Sequence, residues 1–566
     1  MEQTATKRQA FIFTLLAAGL FIVGITPRAA EADVFASQIK VTNPDESEFD
    51  QDFSDGTGAL ISFILNDNAS SVVVEIREDG TENVVATLDL GAQSMGRVEV
   101  EWDGEGAVAG TTYVVDVTAT QDTYSTENWT VYFDSGDINI FSRGGDPVTD
   151  MTSPFFGLIF IPNSGGPLGK GITIYNADGS QYEPFLVAAD LSSGGEIDWG
   201  NSSDSIFGGV LDDEERFYVS AVTHGEVRRL NNDFSLTTVV EGLLNPKGLF
   251  IQGTGEDRVL YIADDSLVVR AAIGTEDVFT GEVEVVGQFS EGFPRNIALD
   301  DDGNLYVSFR ESNELASTPV SLGKFDISGD LPVEDADNVW SIGADATFQI
   351  ASLEIDRGQN LESAEDDILY FATRAGADSD ADGIWMVDDL DAFFPTVSQV
   401  VNELDLYPDQ SWNINDRAVV RLDAAGNFIL LENSNEHLFF ASPPGAEATN
   451  SFTTTSATTF MVNDIVAIGD DELPSAYRLD QNYPNPFNPT TTIEFSLGRA
   501  DYTTVKVFDT LGREVRTLVA AQTPAGTHRV EWNGLDQTGR AVSSGVYILQ
   551  VVSGSFRDSI TMTLAK

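Results

Sequence analysis

The sequence predicts an all-β protein in which a β-propeller of about six blades is flanked by two Ig-like β-sandwiches. Three observations predict it. Apolar residues alternate with a period of two along most of the chain, and helical spacing is nearly absent. A strand, turn and strand unit recurs between about 151 and 468, and a second, more distant repeat relates a segment near the start to one near the end.

The chain opens with Lys7 and Arg8, an apolar run over 10–25, and Ala30-Glu31-Ala32. This is the pattern of a signal peptide over 1–32, and the run is short against the ~20 residues of a membrane span. An exported protein with no retained transmembrane segment is expected. The absence of cysteine excludes disulfides, a lipid-modified cysteine, thiol catalysis and thiolate metal ligands.

Residues 33–150 form the first sandwich. The segment 96–104, GRVEVEWDG, followed by 109–119, aligns with 526–534, GTHRVEWNG, followed by SSGVYILQVVSG. Upstream, LISFIL at 60–65 matches TIEFSL at 492–497. Trp102 and Trp532 fall beside an Asx-Gly turn, the place of a residue that caps the end of a sandwich core.

From 151 to 468 the repeating unit is an apolar strand, a turn built on Asp and Gly or on an acidic pair, and a second strand. It is clearest at 209–233, 246–272, 296–313 and 418–435, and less regular at 156–180 and 351–389. Each copy is too small to bury both its faces, so the copies are expected to pack radially. Asp300, Gly303, Asp423 and Gly426 read as turn residues.

Residues 469–489 read as a linker ending in a proline hinge, YPNPFNP at 483–489. Each of its three prolines removes a backbone donor, which predicts an extended lead-in outside any sheet. Strands are expected at 490–497, 503–509, 529–532 and 546–552, making 490–566 a second sandwich.

The hinge, VKVFDTLGREVRTLV, the WNG turn and the final GVY strand together resemble the type A C-terminal sorting domain of the type IX secretion system, from about 475 to the end. That resemblance implies export across an outer membrane, with the secretion machinery as partner of 475–566 and the cell surface or exterior as destination. Both sandwiches are similar to the Ig-like domain of flagellar hook-assembly (FlgD-type) proteins. The first lacks the hinge, which implies a spacer or docking module. NPKGLFI, LYIADDSLVVR and LDDDGNLYVS resemble the NHL and gluconolactonase-like propellers.

The formal net charge is −61. Residues 474–566 hold 9 Lys+Arg and 8 Asp+Glu, a net of +1, which leaves 21 and 83, a net of −62, on 1–473. Such a surface repels nucleic acid and anionic lipid. It suits either a saline, halophilic habitat, where screening suppresses self-repulsion, or calcium binding.

Little in the chain points to catalysis. No nucleophile elbow, zinc-binding helix or phosphate loop is present, and His224, His437 and His528 have no partner legible in the sequence. Asn296 stands where lactonase-type propellers have a metal-binding asparagine, but the residue after it is Ile and the rest of that set is not assignable. Asp378, Asp380 and Asp382 precede Gly383 at alternate positions, with Asp389 twelfth. This is the spacing of a structural Ca2+ loop in which the carbonyl of Ile384 adds a ligand. The reading is therefore an exported binding or adhesion protein whose propeller contacts a surface carbohydrate or protein. The alternatives are an extracellular metal-dependent hydrolase of the lactonase or phosphodiesterase type and a structural envelope component.

Overall fold

The computed structural model describes residues 12–13 and 34–565 with interruptions, the longest at 311–319, 358–366, 376–382, 403–418 and 463–477. The signal peptide reading falls almost entirely outside the described residues. The central region is a ring of six blades, each of four antiparallel strands; two of them carry a two-residue fifth strand paired parallel at the outer edge, Val333–Glu334 on the third and Ile12–Phe13 on the fourth. Their innermost strands are, in order, Asp146–Pro147, Ile206–Leu211, Pro246–Gln252, Phe293–Leu299, Phe348–Asp356 and Val419–Leu422.

The period-two alternation builds the ring. In Phe217–Ala221, the residues Phe217, Val219 and Ala221 face the first blade, and Tyr218 between them faces the third. In the fourth blade Leu305, Val307 and Phe309 face the third, while Tyr306 faces the fifth. A buried apolar cluster fills each of the six gaps between blades. Asp300 and Asp423 occupy the expected turns: Gly303 N donates to Asp300 O (3.0 Å) and Gly426 N to Asp423 O (3.1 Å). Both glycines have positive φ, +79° and +85°.

The sixth blade moves the expected boundaries. Its outermost strand is Thr130–Asp134, from upstream of 151, paired antiparallel with His437–Ser442. The start of the ring is thereby stitched to its end. His437 Nδ1 and Asp134 Oδ1 lie 2.9 Å apart across this seam, and His224 faces Asp198 at 3.7 Å, so two of the three histidines do have carboxylate partners.

The first sandwich also differs from expectation at its C-terminal edge. One sheet is Ala36–Thr42, Ala59–Leu65 and Gly96–Trp102; the other runs in the order Asn450–Thr455, Thr112–Gln121, Ala69–Glu78, Val84–Gln93. Its edge strand thus comes from beyond the ring. The sandwich meets the ring through Phe35, whose ring is 5.4 Å from that of Phe156, and through Gln38 Nε2, which donates to Asn176 Oδ1 (2.7 Å).

The C-terminal sandwich has the same plan. One sheet is Arg478–Leu479, Thr491–Leu497 and Gly526–Trp532; the other runs Phe556–Leu564, Gly545–Ser553, Asp501–Asp509, Glu514–Thr523. Strand for strand, Phe556–Leu564 corresponds to Asn450–Thr455. The C-terminal copy joins that strand to its neighbour through residues 554–555. The N-terminal copy makes the same connection through 122–449, so the propeller is an insert in the last hairpin of the first sandwich.

The proline hinge is part of the C-terminal fold rather than a lead-in outside it. Its prolines lack donors, but its other residues do not. Tyr483 and Thr492 exchange two backbone bonds (2.9 and 3.0 Å), and Phe487 N donates to Thr563 O while its carbonyl accepts from Ala565 N. Phe487 is buried 5.4 Å from Trp532. The two tryptophans behave as a pair: both are buried, and each indole donates three residues ahead, Trp102 to Glu105 O (3.3 Å) and Trp532 to Leu535 O (3.0 Å).

Candidate ligand-binding site at the propeller axis

All six innermost strands run in one direction, because each four-stranded antiparallel blade returns the chain to the same face before the next begins. On four of them the backbones crowd together. A Cβ on Gly144 would lie 2.6 Å from Gly209 N, one on Gly208 2.6 Å from Lys247 O, and one on Gly248 2.6 Å from Arg295 O. Glycine is required where main chains approach this closely.

The residues just before Gly144, Gly208, Gly248 and, on the fourth strand, Asn296 form a layer near the strands' N-terminal ends: Arg143, Phe207, Lys247 and Arg295. The Phe207 ring is the centre of that layer. Lys247 Nζ lies 4.8 Å from its centroid, Arg295 Cζ 5.4 Å and Arg143 Cζ 5.5 Å. Arg143 and Arg295 are 7% and 8% exposed and Phe207 is 1% exposed, so these are built into the axis rather than waving at the surface. Each cation is attracted to the ring quadrupole.

The same face carries an apolar rim. Leu244, three residues before Lys247, is 69% exposed, and Phe293, two before Arg295, is 42% exposed. Leu244 is held outward by its backbone: Asp264, itself buried, accepts from Leu244 N (2.9 Å) and Asn245 N (2.5 Å).

Three residues further along the strands the axis changes character. Arg421 lies between Asp146 (3.9 Å) and Glu354 (3.4 Å), and it donates to Gly145 O (2.7 Å), Leu353 O (3.1 Å) and Val420 O (2.7 Å). Burial raises both carboxyls against the opposing pull of Arg421, Asp146 to about 6 and Glu354 to about 8. Each also accepts a backbone N–H of the next blade, Leu211 for Asp146 and Leu422 for Glu354, which makes them staples between blades.

A pH test follows. Glu354 has an ordinary value of 4.5 and a folded value of about 8. Between those values the unfolded chain is ionised while the folded one holds its proton, so rising pH favours unfolding. Glu354→Gln should be nearly neutral at pH 4 and progressively stabilising up to pH 8–9, by about 1–3 kcal/mol. Denaturant titrations of both proteins across that range check it; a difference that does not change with pH would remove the assignment.

The residues singled out in the sequence do not converge here, apart from Asn296. Its Nδ2 donates to Ala351 O of the next blade (2.7 Å), the bond of a staple rather than of a metal ligand. Asp378, Asp380 and Asp382 lie outside the described residues. Ile384 and Asp389 are described, and they are separated: Gly383–Asp388 is a strand, with Ile384 paired to Ala372 on one side and Val401 on the other. At ~3.3 Å per residue Asp389 stands about 16 Å from Ile384, too far for both to ligate one ion as the twelve-residue spacing requires. Among the described residues no group of three or more His, Cys, Asp or Glu is placed to hold a metal.

The axial layer is not legible as a local pattern because its members come from four blades. A signal was present: Arg143-Gly144, Phe207-Gly208, Lys247-Gly248 and Arg295-Asn296 each set a cationic or aromatic residue before Gly or Asn at the same phase of the repeat.

Residues 50–123 and 485–555 match the family model of the FlgD Ig-like domain. Both sandwiches are thus similar to that domain. The two matches end before Asn450–Thr455 and Phe556–Leu564, the strands that complete each copy. No curated protein matches the chain. Among solved structures, it is similar to PorZ, a surface component of the type IX secretion system of Porphyromonas gingivalis (13% identity, 91% of this chain and 69% of that one, TM-score 0.33). It is also similar to virginiamycin B lyase from Staphylococcus aureus (11% identity, 56% and 99%, TM-score 0.34) and to the gluconolactonase XC5397 from Xanthomonas campestris (11%, 58% and 90%, TM-score 0.34). Likeness at this level says nothing of ligand or reaction.

Proposed function

We propose that this is an exported binding protein in which the propeller takes a ligand at the axial mouth and the C-terminal sandwich serves as the type IX sorting domain. The observation that carries the reading is the layer of Arg143, Phe207, Lys247 and Arg295 beneath the exposed Leu244 and Phe293. A buried polar centre with an apolar rim on a rigid scaffold is the usual build of a ligand site. The hydrolase alternative draws less support, since Asp146 and Glu354 are each committed to a neighbouring backbone N–H. Export accords with the sorting motifs at 483–489 and 545–553, and among the described residues no helix is long and apolar enough to cross a membrane.

The test uses the full chain on a panel of neutral and acidic saccharides. A ligand retained by the wild type should bind about tenfold more weakly to Leu244→Ser plus Phe293→Ser, because two exposed apolar contacts are lost. Both proteins should melt alike. Equal retention of every ligand by the two would move the binding surface elsewhere.

A further inference from the structure

We infer that the ring carries a second ligand site, a polar cleft on the second blade at the face opposite the axial mouth, which takes a neutral, hydroxyl-rich group such as one residue of a saccharide.

The cleft lies where the turn that follows the innermost strand of the second blade, at Arg216, meets the turn between its third and fourth strands at 231–235. Both turns follow strands that run away from the mouth. The cleft has a volume of about 510 Å3, within the range of roughly 300–1,000 Å3 usual for small-ligand sites. Every residue on its wall is polar, in contrast to the apolar rim of the mouth.

The charged groups of the wall argue for a neutral ligand. Arg216 is engaged by Asp212 (2.8 Å) and Glu214 (3.3 Å), and Arg229 Nε donates to Asn231 Oδ1 (2.7 Å). Asp233 accepts from the Ser235 hydroxyl and N, bonds that hold its carboxyl below the usual carboxylate range. An anion would face Asp233 and a cation would face two guanidinium groups. A neutral group meets neither penalty.

The hydrogen-bonding capacity that remains suits adjacent hydroxyls. Thr237 Oγ1 accepts from Asn231 Nδ2 (3.0 Å) and keeps its own proton to donate. Asn232 Nδ2 donates to Glu214 O (2.9 Å), which leaves the amide oxygen to accept, and Asp233 caps its turn with Oδ1 alone, which leaves Oδ2. One donor and two acceptors complement a diol, in which each hydroxyl both donates and accepts. The wall is also held in place beforehand: Asn231 Nδ2 spans Ser235 Oγ (2.9 Å) and Thr237 Oγ1, and Arg229, only 2% exposed, fixes Asn231 Oδ1. Binding then orders few side chains.

The first blade supplies an internal comparison. It builds the same turn from Asn176, Asp178 and Ser180, with Asn176 Nδ2 on Ser180 Oγ (2.8 Å) and Asp178 Oδ1 accepting from Ser180 N (3.0 Å) and Oγ (2.6 Å). There the turn is covered by a hydrogen-bonding partner, since Gln38 Nε2 donates to Asn176 Oδ1. In the second blade Asn232 stands where the first has the buried Ala177, and the cleft stands where the first has Gln38.

Saturation-transfer NMR and calorimetry on the full chain test this, with the methyl glycosides of mannose, galactose and glucose as probes. At least one should bind. Thr237→Val and Asn232→Ala should each weaken it about three- to tenfold, the usual effect of losing one uncharged hydrogen bond, with melting unchanged. Leu244→Ser plus Phe293→Ser should bind it as the wild type does. If Asn232→Ala melts lower, Thr237→Val, which keeps the shape of the side chain, decides alone. Wild-type affinity in both cleft variants overturns the inference, as does failure of all three glycosides to bind. Loss of binding in the Leu244 and Phe293 variant alone assigns the glycoside to the mouth, which overturns the second site and supports the axial reading. Displacement of the glycoside by inorganic sulfate overturns the assignment of a neutral ligand.

Discussion

Replacing Asp300 with alanine is expected to destabilise the propeller by about 3–5 kcal/mol, the range for removing one partner of a buried ion pair. Asp300 is fully buried at the turn between the first two strands of the fourth blade. Its carboxylate accepts from Asn304 N (2.7 Å), Asn304 Nδ2 (2.9 Å) and the Tyr306 hydroxyl (2.8 Å), and it lies 3.6 Å from Lys324 Nζ. Lys324 is 4% exposed and sits 5.7 Å from the Tyr306 ring. Removing the carboxylate leaves the turn donors and the phenol unsatisfied and takes away the buried member of the acidic pair that faces the ammonium, the other being Asp391 at 3.3 Å. The companion variant, Asp300→Asn with Lys324→Met, should recover a substantial part of the loss by removing both charges together. Denaturant midpoints of the three proteins measure it. A loss below about 1 kcal/mol for Asp300→Ala would show that the pair is not a structural anchor.

Asp300 also marks how far the sequence could be read. Its role in the turn follows from the run Asp300, Gly303, Asn304, since local chemistry dictates a tight turn. Its role as an anchor depends on Lys324, on the next strand but one, and no local pattern announces that contact. The same division holds elsewhere. Six blades and two sandwiches follow from period-two alternation and from repeated turns, which are properties of neighbouring residues. The axial cations lie on separate blades and meet only because the ring closes. The edge strand Asn450–Thr455 escaped notice because its partner lies 330 residues upstream, although Phe452-Thr-Thr-Thr echoes Ile560-Thr-Met-Thr in the other copy. The hinge differs from its expectation for another reason, because Tyr483 and Phe487 both donate from the backbone.

That hinge gives the second large effect. Phe487→Ala should cost the C-terminal sandwich about 3–5 kcal/mol, because a nearly fully buried ring against Trp532 is removed from a core. Tyr483→Ala, four residues earlier in the same motif, should cost less than about 0.5 kcal/mol, since its side chain is 82% exposed. On the proposed sorting role, export should follow folding: the Phe487 variant accumulates in the periplasm and the Tyr483 variant reaches the surface. Calorimetry and cell fractionation read the two consequences separately. Equal stability of the two variants would show that the hinge is not integral to the sandwich. Surface display of an unfolded Phe487 variant would divorce sorting from the fold.

The insertion of the propeller into a hairpin has a mechanical consequence. The two connections to the ring leave the sandwich side by side, from Gln121 and Asn450, which face each other at the end of a ladder running from Asp116–Thr455 to Gln121–Asn450. A pull applied between the two ends of the chain is therefore borne across that ladder, and the ring hangs from it as an unloaded side loop. The propeller stays slack until the ladder shears. The ring keeps its shape under such a pull for as long as those six residue pairs hold.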